Sequence, residues 1–581
     1  MFGGGDGPRP VQAGRTNEGR SAVDGPIVDG GMALSSAASG RHGRRRSRLI
    51  GIVGLASVAM VGVVAIGPSI VSASIPSFTS VAPPNAKAVG VAVPNGLSPE
   101  LKESVVVQGS TPLENPSGTF GYYGYLANGP MIPLPGTVTE ASKTEPDKNT
   151  YLVLKGQHGP DKAYDYGTHF LFQGHETGAG YITRVNLDAD PAHKVTLLAT
   201  QDASGKPLPV FDGSVWNPFT QRLLFSAELG ASGGIWEATP DFPSTVVDMA
   251  GIFGRGGYEG IQVDSVGQIW IVEDTGGKAG SGTLATAKQP NSFVYRFVPK
   301  DRHDLSKGGR RQVLQIEGLD HKPIVFGGTT QAAIDADILS QAMKDLHTYG
   351  NTFKTNWVTI HDTSVDGTTA FDANALAKAK LGTPLKRPEN GQFRPDTGFR
   401  EFFFDETGDT NANSPANAGY GGWGGILHLV QDDLRADHGW LNLFYAGDQA
   451  HTGLDNTAFL SRNQLVFVED AGDGLHTQRN ALDSAYVFDV RIHGPQTPVR
   501  LLAEGRDASA TIDSALAGTA GFQNEGDNEI TGFHVSNGDP TTHGLIGNWV
   551  PRLFRDGGDL PWRVFWTQQH GDNVTWEITA N

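Results

Sequence analysis

The chain has 581 residues, with 62 acidic against 45 basic side chains and a formal charge of −17. That balance argues against a nucleic-acid binder, which would carry a basic stripe, and is compatible with binding cations. Cysteine is absent, which excludes disulfides, zinc–thiolate sites, iron–sulfur clusters and thiol nucleophiles.

Residues 1–48 are rich in Gly, Arg and Ser without apolar periodicity and read as a disordered basic region. "RRRSR" (44–48) leads into the uncharged run 49–67, and Val71-x-Ala73 offers a small-residue cleavage site. This order of basic, apolar and small segments over 49–73 is a signal-peptide pattern, and Arg45–Arg46 resembles a twin-arginine pair. The second reading is an uncleaved membrane anchor through 49–67, since 19 apolar residues nearly span a bilayer. Both place the bulk of the chain outside the cytoplasm, periplasmic or extracellular. Residues 74–117, rich in Pro, Ser and Val, read as a linker.

From residue 118 onward one pattern recurs. A turn precedes a short β-prone run, and the run ends in a carboxylate or histidine. The six copies are 168–178 (ending His175–Glu176), 217–230 (Glu228), 264–277 (Glu273–Asp274), 394–409 (Asp405–Glu406), 461–473 (Glu469–Asp470) and 560–573 (His570, Asp572). With 77 Gly and 34 Pro the chain has the turn residues an all-β protein needs. Six such units predict a six-bladed β-propeller over 118–581, with corresponding strand ends meeting at one mouth of a central channel. One acidic residue after a strand is ordinary turn chemistry. Six at the same strand end predict a ring of carboxylates whose repulsion a cation relieves, and oxygen-only ligands point to calcium first. Between the third and fourth copies, 300–386 reads as a helical insertion, with helices in 330–350 and 372–382. It is either a lid over the channel or packing.

"GYGGWG" (419–424) fits a dinucleotide glycine pattern, but a strand-like run follows it rather than a helix. "GHE" (174–176) lacks the second histidine of a zinc-protease helix, and no Walker loop or G-x-S-x-G elbow occurs. His570 in "QQHGD" is either a proton donor or a packed turn histidine.

Taken in order, "HFLFQGHETG", "SVWNPFTQRLLFSAELG", "GGYEGIQVD…VEDTGG…FVYRFVPKD", "LKRPENGQFRPDTGFREFFFDETGD", "GLDNTAFLSRNQLVFVED" and "NEITGFHVSNGD…RVFWTQQHGDN" resemble the bacterial PhoX-type alkaline phosphatases. The resemblance runs from about residue 118 to the end. It implies a six-bladed propeller holding calcium and iron (Fe3+) that hydrolyses phosphomonoesters outside the cytoplasm. It also implies Glu389 as a metal ligand, Arg387 as the phosphate-binding residue, and either Glu259 or Glu273 as a further ligand. Glu176, Glu228, Asp274 and Asp470 follow as calcium ligands. Where the family has an iron-ligating cysteine, this chain has Ala227, within Ser226-Ala227-Glu228. The expected activity is therefore an exported, metal-dependent phosphatase acting as a monomer on a small phosphate ester, with Arg387 and His570 as catalytic residues. The alternatives are a calcium-dependent lactonase or esterase, and a calcium-stabilised propeller that only binds.

Overall fold

The computed structural model describes residues 77–82, 93–131, 141–505, 529–553 and 561–581. The signal or anchor segment expected at 49–73 lies outside them. No helix among the described residues is long and apolar enough to cross a membrane.

The described elements are overwhelmingly strands, arranged in five sheets. One sheet runs Pro146–Val153, His169–His175, Ile182–Asn186, Val195–Ala199, and the next Ser214–Asn217, Arg222–Ala227, Gly234–Ala238, Val246–Asp248. A third holds Leu454–Phe459, Gln464–Glu469, Ser484–Asp489 and Val499–Ala503, with Gly96–Leu97 added at its edge. A fourth holds Glu529–Ser536, Arg563–Gln569 and Val574–Ala580, completed by Leu101–Val107. Two strands thus come from the stretch 74–117 that reads as a linker, and the second covers an edge otherwise open to pairing.

The fifth sheet corrects the six-bladed expectation. It has nine strands, from Tyr258–Val263 through Ile269–Glu273, Val294–Pro299, Gly309–Ile316, Thr352–Asp362, His438–Ala446, Gly425–Gln431 and Glu401–Glu406 to Gly391–Phe393. Its two edges return to each other, where the Gly260 N–H donates to the Glu389 carbonyl at 2.8 Å. The molecule is therefore a propeller-like ring of four small sheets plus one near-closed nine-stranded sheet. The physical reason is Thr352–Asp362, a strand of 11 residues contributed by the insertion. It pairs with Gly309–Ile316 on one side and His438–Ala446 on the other, fusing what would have been two blades. Its alternating burial turns Phe353 and Trp357 into a core shared with Trp270, Phe393 and Phe402. Burying each such side chain contributes roughly 1.5–3 kcal/mol.

The insertion's three longer helices are Gln331–Ile338, Gln341–Leu346 and Ala373–Ala379, each started by a side-chain cap from Thr330, Ser340 and Asp372. Ile334 and Ile338 pack on Ala287 and Ala416, while Met343 and Leu346 join the nine-stranded core.

Candidate metal centre and active site

Each sheet strand that edges the central channel is followed by an antiparallel partner whose far end returns beside the first strand's start. The pairs Pro146↔His175, Tyr258↔Glu273, Leu454↔Glu469 and Glu529↔Gln569 fix this register. Side chains just before or at the start of the first strand therefore meet those just after the end of the second. Glu176, Glu228, Asp274 and Asp470 each follow the last residue of a second strand. Asp147, Glu259 and Asp455 sit in irregularities of the ladder at Pro146/Asn149, Tyr258/Ile261 and Leu454/Thr457. A bulge of this kind re-aims a side chain out of the pleat, and here all three point into the same space.

That space is a polar void of about 50 Å³, lined by Asp147, Glu176, Asp212, Glu228, Glu259, Asp274, Glu389, Asp455, Asp470, Glu529 and Arg387. Ten carboxylates face one guanidinium. Two unit charges about 5 Å apart repel by about 3 kcal/mol at an effective dielectric near 20. Protonation relieves this in the absence of a cation. Burial pushes Glu228 and Asp455 up to about 8 and Asp147 to about 6, with neighbouring carboxylates adding to the effect. Burial likewise drives Glu176, Asp212, Glu259, Glu389 and Glu529 well above the usual carboxylate range.

Within the ring, two triads bring carboxylate oxygens within 4.8 Å of one another: Glu176 with Asp212 and Glu228, and Glu259 with Asp274 and Glu389. Either can hold a metal ion. The donors are all oxygen, a set that suits hard cations. Ten carboxylates crowded around one guanidinium are more acid than the site ionises unaided, which fits a cation.

Arg387 is pinned from two sides. Its Nε donates to Asp274 at 2.8 and 3.1 Å, and its Nη2 to Glu389 at 3.0 Å. Nη1 has no hydrogen-bond partner among the described residues, so its donors remain available to a ligand. Arg387 takes a left-handed backbone (φ 58°) ahead of Pro388, as does His570 (φ 60°). Such strain in a non-glycine residue costs on the order of 1–3 kcal/mol and persists only where the surroundings enforce it. His570 stands behind the ring, its Nε2 3.5 Å from Glu529 and its Nδ1 3.4 Å from Glu145.

Of the residues singled out from sequence, Glu176, Glu228, Glu259, Asp274, Arg387, Glu389 and Asp470 converge on the void. Between Glu259 and Glu273, the structure brings only Glu259 there. Glu273 is buried behind it, accepting from Tyr295 Oη at 2.9 Å and Asn374 Nδ2 at 3.0 Å, the latter from an insertion helix. Burial raises its pKa to about 7. The doublet Asp405–Glu406 lies one residue earlier on its strand than Asp274 does, and it turns elsewhere. Asp405 takes the Asn390 N–H at 2.7 Å, and Glu406 pairs with His347 Nε2 at 2.7 Å. Ala227 packs in an apolar layer with Phe225 and Trp236. No residue of the insertion's helices lines the void. Sequence reasoning missed Asp147, Asp212, Asp455 and Glu529. Their signal was a single acidic residue ahead of, or opening, each channel strand, in "EPDKNTYLV", "VFDGSVW", "GLDNTAF" and "NEITGFHV".

Residues 282–543 match the family model described as Alkaline phosphatase PhoX. The matched segment contains Arg387, Glu389, Asp455, Asp470 and Glu529 and supports a phosphatase-type hydrolase. Among solved structures, Pseudomonas fluorescens PhoX in complex with vanadate aligns at 13% identity, covering 87% of this chain and 98% of its own, with a TM-score of 0.48. A hypothetical selenium-binding protein from Sulfolobus tokodaii aligns at 9% identity, over 75% of this chain and 91% of its own, with a TM-score of 0.28. No curated protein matches.

Proposed function

We propose that the chain, whose residues 282–543 match the family model described as Alkaline phosphatase PhoX, is a metal-dependent phosphomonoesterase acting in the carboxylate-lined void. The observation that carries this reading is Arg387. It is a single guanidinium inside a ring of ten carboxylates, fixed by Asp274 and Glu389, with Nη1 unengaged. A guanidinium held this way binds phosphate oxygens without first losing side-chain entropy.

Glu259, Asp274 and Glu389 would hold one cation, and Glu176, Asp212 and Glu228 another. Calcium suits both triads, and iron would be bound through oxygen alone because Ala227 supplies no thiolate. A bound cation supplies Lewis-acid charge for the phosphoryl oxygens and for water activation. Arg387 would orient the phosphoryl group, and His570, which stands behind the ring 3.5 Å from Glu529, would supply a proton to the departing alcohol by way of that carboxyl. The substrate is a small phosphate ester. The basic, apolar and small-residue segments of 44–73 support export, with the active domain outside the cytoplasm.

The test is turnover of p-nitrophenyl phosphate by chelator-stripped protein reloaded with calcium, with and without iron. Arg387→Ala should lose about 10²–10³-fold in kcat/KM, the effect of deleting one donor to developing oxyanion charge, while keeping its bound calcium. The absence of a thiolate favours one second reading, a calcium-only site that opens lactones or esters. No phosphatase turnover in any metal state, together with hydrolysis on a lactone panel, would replace the first reading with that one.

A further inference from the structure

At the strand ends opposite the carboxylate void, the nine-stranded sheet carries a second concavity of about 650 Å³. Three turns form it: 264–268, 300–308 and 432–437. Its lining includes Arg296, Lys300, Arg302, His303, Arg310 and Arg435, with Asp301 and Asp437 as its only carboxylates. In a chain of formal charge −17, this is a local reversal of sign.

Both carboxylates are already engaged. Asp437 is bound by Arg296, a buried side chain that also donates to the Ala436 carbonyl at 2.8 Å and lies over Trp357. Asp301 is bound by Lys307 at 2.7 Å. Lys300, Arg302, Arg310 and Arg435 form no ion pair among the described residues. Asp362 stands opposite Arg310 in the ladder without reaching ion-pair distance. Arg302 is stacked on Phe219 with its guanidinium 4.7 Å from the ring centre, which limits its rotamers while leaving its charge exposed. Arg296 and Asp437 make a neutral wall, and the groove's positive charge belongs to the other four.

We propose that this groove is a binding site for a chain of phosphate groups, an oligophosphate or polyphosphate anion. Three arginines converge on it, and guanidinium forks match phosphate oxygens better than point charges do. Its size takes several phosphates rather than one. It lies at the end of the sheet away from Arg387, so its occupant is distinct from the ester bound in the void, and the inference does not depend on the phosphatase reading.

The experiment is calorimetric titration of the full chain with tripolyphosphate and with longer polyphosphate. The comparison anions are poly-glutamate and a single-stranded DNA oligonucleotide of matched charge. The expected result is saturable polyphosphate binding that weakens with salt, unchanged in Arg387→Ala. The triple variant Arg302→Ala, Arg310→Ala, Arg435→Ala should bind at least about tenfold more weakly, since each guanidinium contributes a charge-assisted hydrogen bond. The wild-type melting temperature in that variant would show that the loss is local. Should the triple variant unfold, the single variant Arg435→Ala, on an exposed turn, carries the same test with a smaller weakening. Absence of polyphosphate binding, binding undiminished in the variants, or loss of binding in Arg387→Ala would overturn the proposal. So would equal or tighter binding of poly-glutamate or of the oligonucleotide.

Discussion

Arg387 and the ten carboxylates around it set up a conflict that only a cation or protons resolve. Asp455 and Glu228 are held up to about 8 and Asp147 to about 6. Their folded pKa values lie above those of the unfolded chain, so the folded state binds more protons between pH 4 and 8, and stability contributed by these groups is lost as pH rises. The metal-free protein should therefore melt at progressively lower temperature from pH 5 to pH 8. Saturating calcium should abolish that decline. Asp455→Asn should raise the melting temperature of the metal-free protein at pH 8 by several degrees while weakening its response to calcium. Thermal scans with chelator and with calcium across the pH range check all three; a metal-free curve that rises with pH would contradict them. Six of the ten carboxylates, and Arg387, were legible in the sequence. Doublets such as Glu273–Asp274 and Glu469–Asp470 break an apolar run and stand out. Asp147, Asp212, Asp455 and Glu529 come before or at the opening of one, where a lone acid looks like turn chemistry. What makes them ligands is the antiparallel register, which is a tertiary fact. The same limit explains Asp405 and Glu406, whose doublet matches the others but ends one residue short of the aimed position.

At the level of elements, most propeller strands were readable, since short β-branched and aromatic runs between turns fix them locally. Leu101–Val107, in a stretch read as a linker, and Thr352–Asp362, in an insertion read as helical, were not. Nor was the partition of strands into sheets. A helical insertion was expected between two blades, but its strand Thr352–Asp362 fuses them, and pairing partners are not written in a strand's own pattern. The seam of that sheet is tight. A Cβ at Gly260 would lie 2.7 Å from the Glu389 carbonyl oxygen, 2.8 Å from Val272 and 2.9 Å from the Asn390 Cα. Two of these three are backbone, which cannot swing aside. Gly260→Ala should cost roughly 1–3 kcal/mol, as overpacking does in other cores, and should displace Glu389 from its triad. Chemical denaturation together with calcium affinity measures both, and a fully stable variant with intact calcium affinity would show that the seam does not position the site.

Across the whole molecule, Leu101–Val107 pairs with Val574–Ala580, so a strand from early in the described chain completes the sheet of the last strand. The ring gathers acids from every sheet into one void, while cationic turns collect at the opposite end of the nine-stranded sheet. Uptake of a cation by the void can be measured outright. Calorimetric titration of calcium into chelator-stripped protein, in buffers of different ionisation enthalpy, tests it most directly. The expected result is saturable uptake accompanied by proton release, because carboxyls protonated in the metal-free state must ionise to bind, with both signals reduced in Glu389→Gln. Absence of calcium uptake, or uptake indifferent to Glu389, would contradict it.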